Sequence, residues 1–212
     1  MKPRTIETTL YALSDTPPQP RERRDDERHL TLFRVGALVV GDHRELCLIK
    51  NISAGGMLIR AYRAMTTGTR VAIELKRGET VRGKVSWVRD SNVGVAFDAP
   101  IDILDLLTPG NDSPRPRMPR IAIRCIASVR QGAMARSLYT RDVSQGGIKI
   151  ESLHSFVIGE GVTVLLPGMQ AEPGVVCWHD SGCYGISFNR VLALGHLVSW
   201  LQQQRDEMRQ AS

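Results

Sequence analysis

The sequence predicts a mainly β protein with two small, six-stranded antiparallel β-barrels in tandem, each followed by a helix. Two observations predict this fold class. The chain of 212 residues repeats itself with an offset of 91 positions. Each copy also consists of short apolar or alternating runs, separated by Gly, Asp and Asn at a spacing of about ten residues. Runs of this kind are typical of small closed sheets.

The repeat is clearest where residues 51–59, NISAGGMLI, match residues 142–150, DVSQGGIKI. No insertion or deletion interrupts the offset as far as Phe97 and Phe188. Because each copy spans about 90 residues, each is long enough to bury a core of its own. The chain is therefore expected to form two domains rather than a solenoid.

Apolar and alternating runs predict the strands. In the first copy they cover 38–40, 46–49, 57–59, 71–75, 80–88 and 94–97, and in the second 121–129, 147–151, 162–166, 174–178 and 185–188. Trp87 and Trp178 occupy equivalent positions, with Val and Gly neighbours. These neighbours favour packing in the core over a stacking platform for single-stranded nucleic acid.

Each copy then changes to helical periodicity. Residues 101–107 predict a short helix that ends before Pro109 and Gly110. Residues 191–209 predict a longer one, whose apolar residues at i, i+3, i+4 and i+7 define one face. We expect each helix to cap its own barrel, and a homodimer contact through the longer helix is the alternative.

Two Pro-rich breaks set the predicted domain limits. Residues 1–20, which end in PPQP, are expected to form a disordered tail. Residues 109–116 read PGNDSPRP and predict a linker. The first domain then spans 21–108, and the second spans 117–209 with the longer helix.

Composition excludes several classes of protein. No run of about 18 apolar residues is present, so no membrane span is expected. The four Cys include no CxxC pair, which argues against a zinc ribbon, and no metal or other cofactor is predicted. The N-terminus lacks an apolar signal region, so a cytoplasmic location with reduced thiols is expected. The net charge of +6 includes 23 Arg and only 5 Lys, but interleaved acidic residues make nucleic acid an unfavoured partner.

A two-part motif opens the first copy. Arg24 and Arg28 are spaced as RxxxR, and Asn51, Ser53 and Gly56 follow as NxSxxG. Together, at the start of a small β domain, they resemble the PilZ family. In that family the two motifs form the binding site for the bacterial second messenger cyclic di-GMP. The resemblance extends over both copies.

The resemblance implies a role for each residue of the first site. The two motif arginines would clamp phosphate and guanine, with Arg23 as an adjacent helper, because a guanidinium can fork onto phosphate and stack on a base. Asn51 would bind a guanine edge, and Ser53 would donate to a phosphate or order the turn. Gly56 would allow unusual backbone angles and a close approach of the ligand.

The second copy keeps the second half of the motif in Asp142, Ser144 and Gly147. Its arginine half is altered. If Arg120 is the second motif arginine, Pro116 stands four positions earlier, with Arg115 and Arg117 beside it. Arg120 and Arg124 also match RxxxR, but there they would share one face of the first strand, with the Ile residues on the other face. The gapless offset instead places Pro119 opposite the second arginine of the first copy. Arg117, Arg120 and Arg124 are the candidates, and a degenerate or weaker second site is expected.

The resemblance therefore implies a non-catalytic receptor for cyclic di-GMP. Ligand would order the Arg-bearing segments and change the angle between the domains, which would pass the signal to a downstream protein partner. The alternative is an adaptor that needs no ligand, in which one or both domains bind a protein partner. The altered arginine half of the second copy favours this alternative for that copy.

Overall fold

The computed structural model describes residues 30–76, 79–103 and 118–210. The predicted tail, the predicted linker and four of the candidate arginines, namely Arg23, Arg24, Arg28 and Arg117, lie outside these ranges. The predicted limits between the tail, the two domains and the linker fall on such segments, and the domain division stays a prediction.

The first copy forms a closed antiparallel barrel of six strands, which we call barrel 1. Its strands are β1 Leu30–Val40, β2 His43–Ser53, β3 Gly56–Arg60, β4 Arg70–Lys76, β5 Glu79–Arg89 and β6 Asn92–Phe97. They pair in the order β1-β2-β3-β6-β5-β4. Alternation decides which side chains enter the core. In β5, Val81 and Val85 are buried, whereas Arg82 and Lys84 between them are exposed. The six-stranded barrel predicted from the sequence is confirmed.

The second copy closes in the same way. Its strands are β7 Ile121–Ala122, β8 Ile126–Gln131, β9 Met134–Ser144, β10 Gly147–Glu151, β11 Gly161–Leu165, β12 Glu172–Asp180 and β13 Cys183–Phe188. Strands β8 to β13 form this barrel, which we call barrel 2, and the pairing of β9 with β10 closes it. The short strand β7 is added at an edge, where it pairs with β9.

The run 121–129 was predicted as one strand, and the structure divides it. The break falls at Cys125, whose backbone N–H donates to Thr140 Oγ1 at 3.0 Å. The Cys125 carbonyl accepts from the Thr140 backbone N–H at 2.9 Å. In barrel 1 the corresponding chain stays within β1, with only a shift of register between Thr31 and Arg34.

The two barrels share unusual backbone conformations at equivalent positions. Gly68 and Gly159 both have φ of +86°. Asp90 and Ser181, neither of them Gly, have φ of 52° and 49°. The offset of 91 therefore relates backbone conformation as well as sequence at these turns.

The prediction that the paired tryptophans are core residues is wrong. Trp87 and Trp178 are 39% and 41% exposed. Each indole instead lies against a glycine of the neighbouring strand, Gly94 or Gly185, where any Cβ would collide with the ring. The glycine neighbours thus provide a flat surface for the ring on the outside of the barrel.

The predicted C-terminal helix is present as α1, Leu194–Gln210. It covers its own barrel through Leu197, Val198, Trp200 and Leu201, which are buried, and Trp200 Nε1 donates to the Pro167 carbonyl at 2.7 Å. The helix predicted at 101–107 lies outside the described residues except for its start, where Ile103 is only 6% exposed and belongs to the core of barrel 1.

Helix α1 also reaches barrel 1, which was not predicted. Gln202 Nε2 donates to the Tyr62 carbonyl at 2.8 Å, and Arg205 Nη2 donates to the Arg44 carbonyl at 2.7 Å. Apolar packing accompanies these bonds, because Leu46 of β2 is 2% exposed and belongs to the core cluster of barrel 2. The helix therefore bridges the two barrels.

Candidate functional site

In barrel 1, the second half of the motif forms the hairpin between β2 and β3. Ser53 pairs with Gly56 in the register of the two strands, and Ser53 Oγ donates to the Gly56 carbonyl at 3.1 Å. Asn51 lies two residues earlier, half-buried, opposite Leu58 of β3. Within the described part of the chain, its side chain has no hydrogen-bond partner.

Barrel 2 repeats this hairpin between β9 and β10. Ser144 Oγ donates to the Gly147 carbonyl at 3.2 Å, and the serine is 2% exposed. Asp142 lies at the position of Asn51, between Ala122 of β7 and Lys149 of β10. In both copies the hydroxyl of the motif serine orders the turn.

The packing of neighbouring strands requires the motif glycines. Neither Gly56 nor Gly147 has a positive φ. A Cβ on Gly56 would lie 2.5 Å from the Val95 carbonyl oxygen, and one on Gly147 would collide with the Ile186 carbonyl. The missing side chain therefore lets neighbouring strands approach each other, and unusual backbone angles play no part.

The structure separates the two described arginine candidates of the second copy. Arg120 forms an ion pair with Asp142 through its Nε. Arg124 points elsewhere: its guanidinium lies 3.8 Å from the centroid of the Tyr139 ring, and its Nη2 is 4.0 Å from Glu151 Oε2. As expected, Ile121 and Ile123 are buried, whereas Ala122 and Arg124 are exposed. Of the two arginines, only Arg120 is brought to the motif carboxylate.

A cavity of about 750 Å³ opens beside the Arg120–Asp142 pair, between the two barrels and helix α1. Its charged lining residues are four arginines and two aspartates: Arg44, Arg120, Arg205, Arg209, Asp42 and Asp142. Three of the four arginines are already paired with carboxylates, Arg44 with Glu74, Arg120 with Asp142 and Arg205 with Glu45. Because a guanidinium can donate two parallel hydrogen bonds to a phosphate or a carboxylate, an anion that enters the cavity would compete with these carboxylates.

Sequence reasoning missed Arg44, Arg205 and Arg209. Arg44 is held by Glu74, whose Oε2 lies 3.1 Å from Arg44 Nε, and its Nη1 donates to the Arg120 carbonyl. Arg205 reaches Glu45 Oε1 at 3.5 Å and also binds the Arg44 carbonyl. No local pattern could reveal this cluster, because Arg44 and Arg205 meet only through the packing of α1 across the barrels.

The described ranges contain neither a metal site nor a membrane-spanning helix. No group of three or more His, Cys, Asp or Glu side chains there is placed to hold a metal ion. No helix in the same ranges has the length and apolar character needed to cross a membrane.

Comparison with solved structures gives distant matches. Borreliella burgdorferi PlzA in complex with c-di-GMP is 13% identical, with 79% of this chain and 86% of that chain covered and a TM-score of 0.35. The Bacillus subtilis inhibitor of motility, MotI/DgrA, is 14% identical, with 85% and 100% covered and a TM-score of 0.34. Escherichia coli YcgR in complex with c-di-GMP is 13% identical, with 84% and 88% covered and a TM-score of 0.33.

Curated proteins give no match. A family model is decisive, because the model of the PilZ domain matches residues 22–108 and again residues 114–203. The two matches together include both barrels and both hairpin motifs. The chain therefore belongs to the PilZ family, with two PilZ domains in tandem.

Proposed function

We propose that the chain is a non-catalytic receptor for cyclic di-GMP, acting in the cytoplasm, the compartment in which a bacterial second messenger is encountered. The observation that carries the proposal is the second PilZ hairpin, whose Asp142 pairs with Arg120 at the edge of a cavity lined by four arginines. Membership of the PilZ family gives the ligand class, and the chemistry of the lining supports it.

The ligand has two phosphodiesters and two guanines, and the cavity offers groups for both. Arg209 can fork onto phosphate oxygens, and Arg44 and Arg205 would do so only by exchanging Glu74 and Glu45 for the ligand. Arg120 can bind phosphate or stack on a guanine. The Asp142 carboxylate has the two acceptor oxygens that match guanine N1–H and N2–H. Because Asp142 is already paired with Arg120, the ligand would have to share or replace that contact.

The first site uses Arg23, Arg24 and Arg28 with Asn51, Ser53 and Gly56 in this proposal. Its arginine half matches the family pattern fully, whereas Asn51 is a neutral carboxamide that accepts through one oxygen only. The second site has the carboxylate but an altered arginine half, in which Arg117, Arg120 and Arg124 are the candidates. We therefore expect both sites to bind, the second with lower affinity.

The residues that line the cavity come from both barrels and from helix α1, and this gives a route for the signal. Arg44 belongs to barrel 1, Arg120 to barrel 2 and Arg205 to helix α1. A ligand that binds all three would change the contact between the domains while it orders the Arg-bearing segments. A downstream protein partner would then recognise the altered arrangement.

The adaptor that needs no ligand is the second candidate. The specific observation in its favour is that Arg124 is engaged by Tyr139 and Glu151 and not by the motif. An adaptor would keep the PilZ fold and bind its partner with the same affinity whether or not the messenger is present.

Isothermal titration calorimetry with cyclic di-GMP separates the two. The receptor proposal predicts saturable heat at micromolar ligand and none with GTP at the same concentration. No heat and no thermal shift at tens of micromolar cyclic di-GMP would leave only the adaptor.

A further inference from the structure

Lys149 of β10 lies beside the motif carboxylate of the second copy. It pairs with Asp142 of β9 on one side and with Gly185 of β13 on the other, and Gly185 pairs in turn with Trp178 of β12. Residues directly opposite each other in antiparallel strands point to the same face of the sheet. These four residues therefore form a line across the outer surface of barrel 2, which we call the motif row.

The ammonium group of Lys149 has an aromatic neighbour and no carboxylate partner. Its Nζ lies 5.7 Å from the centroid of the Trp178 ring, which is within the range of a cation–π contact. Among the described residues it forms no ion pair and no hydrogen bond. Three of the four cavity arginines, in contrast, each contact a carboxylate. An anion that approaches Asp142 therefore meets, in Lys149, a cation that it can bind without breaking an ion pair.

The equivalent row of barrel 1 has a leucine in place of this lysine. Leu58, which the offset of 91 relates to Lys149, pairs with Asn51 and with Gly94. Gly94 pairs with Trp87, so the row is otherwise built in the same way. The first copy, which lacks the lysine, has a complete RxxxR pair, whereas the second copy, which has the lysine, has an altered arginine half.

Two cations flank the Asp142 carboxylate. Arg120, which precedes β7, pairs with it from one side, and Lys149 lies on the other side, in β10. In cyclic di-GMP each guanine is attached to a sugar that is joined to both phosphodiesters. A guanine bound by Asp142 can therefore place one phosphodiester toward Arg120 and the other toward Lys149. An ammonium group suits the second phosphodiester, because it is a compact charge with three hydrogen-bond donors.

We propose that Lys149 is a ligand-binding residue of the second cyclic di-GMP site. Its ammonium group binds a phosphodiester oxygen and supplies a cation that the altered arginine half lacks, while the Trp178 ring holds the lysine side chain in the motif row. This inference rests on the proposed receptor function and adds to it a residue that lies outside both parts of the PilZ motif. A neutral side chain at position 149 should therefore weaken the second site.

Calorimetric titration of cyclic di-GMP into the full chain tests the proposal. The parent protein carries Arg24→Ala/Arg28→Ala, so that the remaining heat reports the second site. Adding Lys149→Leu is expected to weaken binding about fivefold or more, because a hydrogen bond between charged groups is lost. This substitution introduces the residue that barrel 1 has at the equivalent position. Lys149→Arg is expected to stay within about twofold of the parent, because a guanidinium also binds phosphate.

Two comparisons separate a direct contact from a general effect of charge. Arg130→Leu removes one positive charge from β8 of barrel 2, outside the motif row, and is expected to leave the affinity unchanged. Because salt screens charges at the surface, rising NaCl should weaken the parent more steeply than Lys149→Leu, and the two affinities should converge. Lys149→Gln, a second neutral variant, is expected to reproduce the loss seen with Lys149→Leu.

The outcomes distinguish this inference from the receptor proposal. No heat with the wild type would overturn both. Heat with the wild type but none with the Arg24→Ala/Arg28→Ala parent would overturn the role of Lys149 and leave the first site as a receptor. A parent affinity that neither Lys149→Leu nor Lys149→Gln changes would have the same consequence. An equal loss in Arg130→Leu would also overturn the role of Lys149, because net charge alone would then account for the effect.

Discussion

The Arg120 guanidinium pairs with the Asp142 carboxylate and so fastens the edge strand β7 to β9. The backbone of Arg120 is fastened as well, because its carbonyl accepts from Arg44 of barrel 1. One residue thus links the motif of the second copy to the contact between the barrels. The consequences can be measured without any ligand.

Removing the Asp142 carboxylate should weaken the pairing of β7 with β9 while leaving barrel 2 intact. The side chains of Arg120 and Asp142 are 38% and 25% exposed, so solvent screens the pair and Asp142→Asn should lower the free energy of unfolding by only about 0.5–1 kcal/mol. Amide hydrogen exchange at 121–123 should accelerate, while exchange in β12 stays as in the wild type. Uniform acceleration across barrel 2 would show instead that the pair supports the whole domain.

The motif glycines should be intolerant of even one methyl group. Gly147→Ala would press a Cβ into the Ile186 carbonyl, and Gly56→Ala would do the same at Val95. Each should cost about 1–3 kcal/mol in urea unfolding, the usual range for overpacking. Gly161→Ala is the matched control, because the nearest atom to its Cβ would be 3.9 Å away. Equal stability of all three variants would contradict the packing argument.

Barrel 1 should lose stability at alkaline pH through Cys47. Burial raises the pKa of its thiol from 9.0 to about 12, partly opposed by a hydrogen bond with the Gly36 backbone. Because the pKa is higher in the folded state, the thiol's contribution is complete below pH 9 and is lost as the pH rises toward 12. By pH 10.5 the wild type should have lost about 1–2 kcal/mol more than Cys47→Ala, relative to each protein at pH 8. Parallel curves of unfolding free energy against pH would refute this assignment.

The contact between the barrels should depend on Arg205. Its half-buried guanidinium binds the Arg44 carbonyl and Glu45, and hydrogen bonds to charged groups contribute about 1.5–3 kcal/mol. Arg205→Ala should therefore expose the end of α1 and the start of β2 to faster hydrogen exchange. Arg209→Ala, which removes an exposed arginine without an ion pair in the described ranges, is the control. Similar exchange in both variants would mean that apolar packing at Leu46 holds the barrels together alone.

Local pattern was sufficient for the barrels and for α1. Alternation identifies a strand such as β5 because every second residue enters the core. The sequence predicts Trp87 in the core, whereas its ring lies on the outside of the barrel over Gly94. Val and Gly neighbours in the sequence are compatible with either position, so they could not distinguish the two. The strand break at Cys125 depends on Thr140, a partner in another strand.

The candidate site, too, could be predicted only where its residues are close together in the sequence. The hairpins at Ser53 and Ser144 are local, so their motif was visible in the sequence. The guanidinium groups of Arg44 and Arg205 enter the cavity only because α1 crosses from one barrel to the other. Contacts between segments so far apart depend on domain packing, which no short pattern encodes.

The most direct test of the central claim is calorimetric titration of cyclic di-GMP into the wild type, Arg24→Ala/Arg28→Ala and Asp142→Ala. We predict two binding events in the wild type, loss of the tighter event in the double variant, and a weaker event reduced at least tenfold in Asp142→Ala. Unchanged stoichiometry and affinity in both variants would contradict the account, because neither PilZ motif would then hold the ligand.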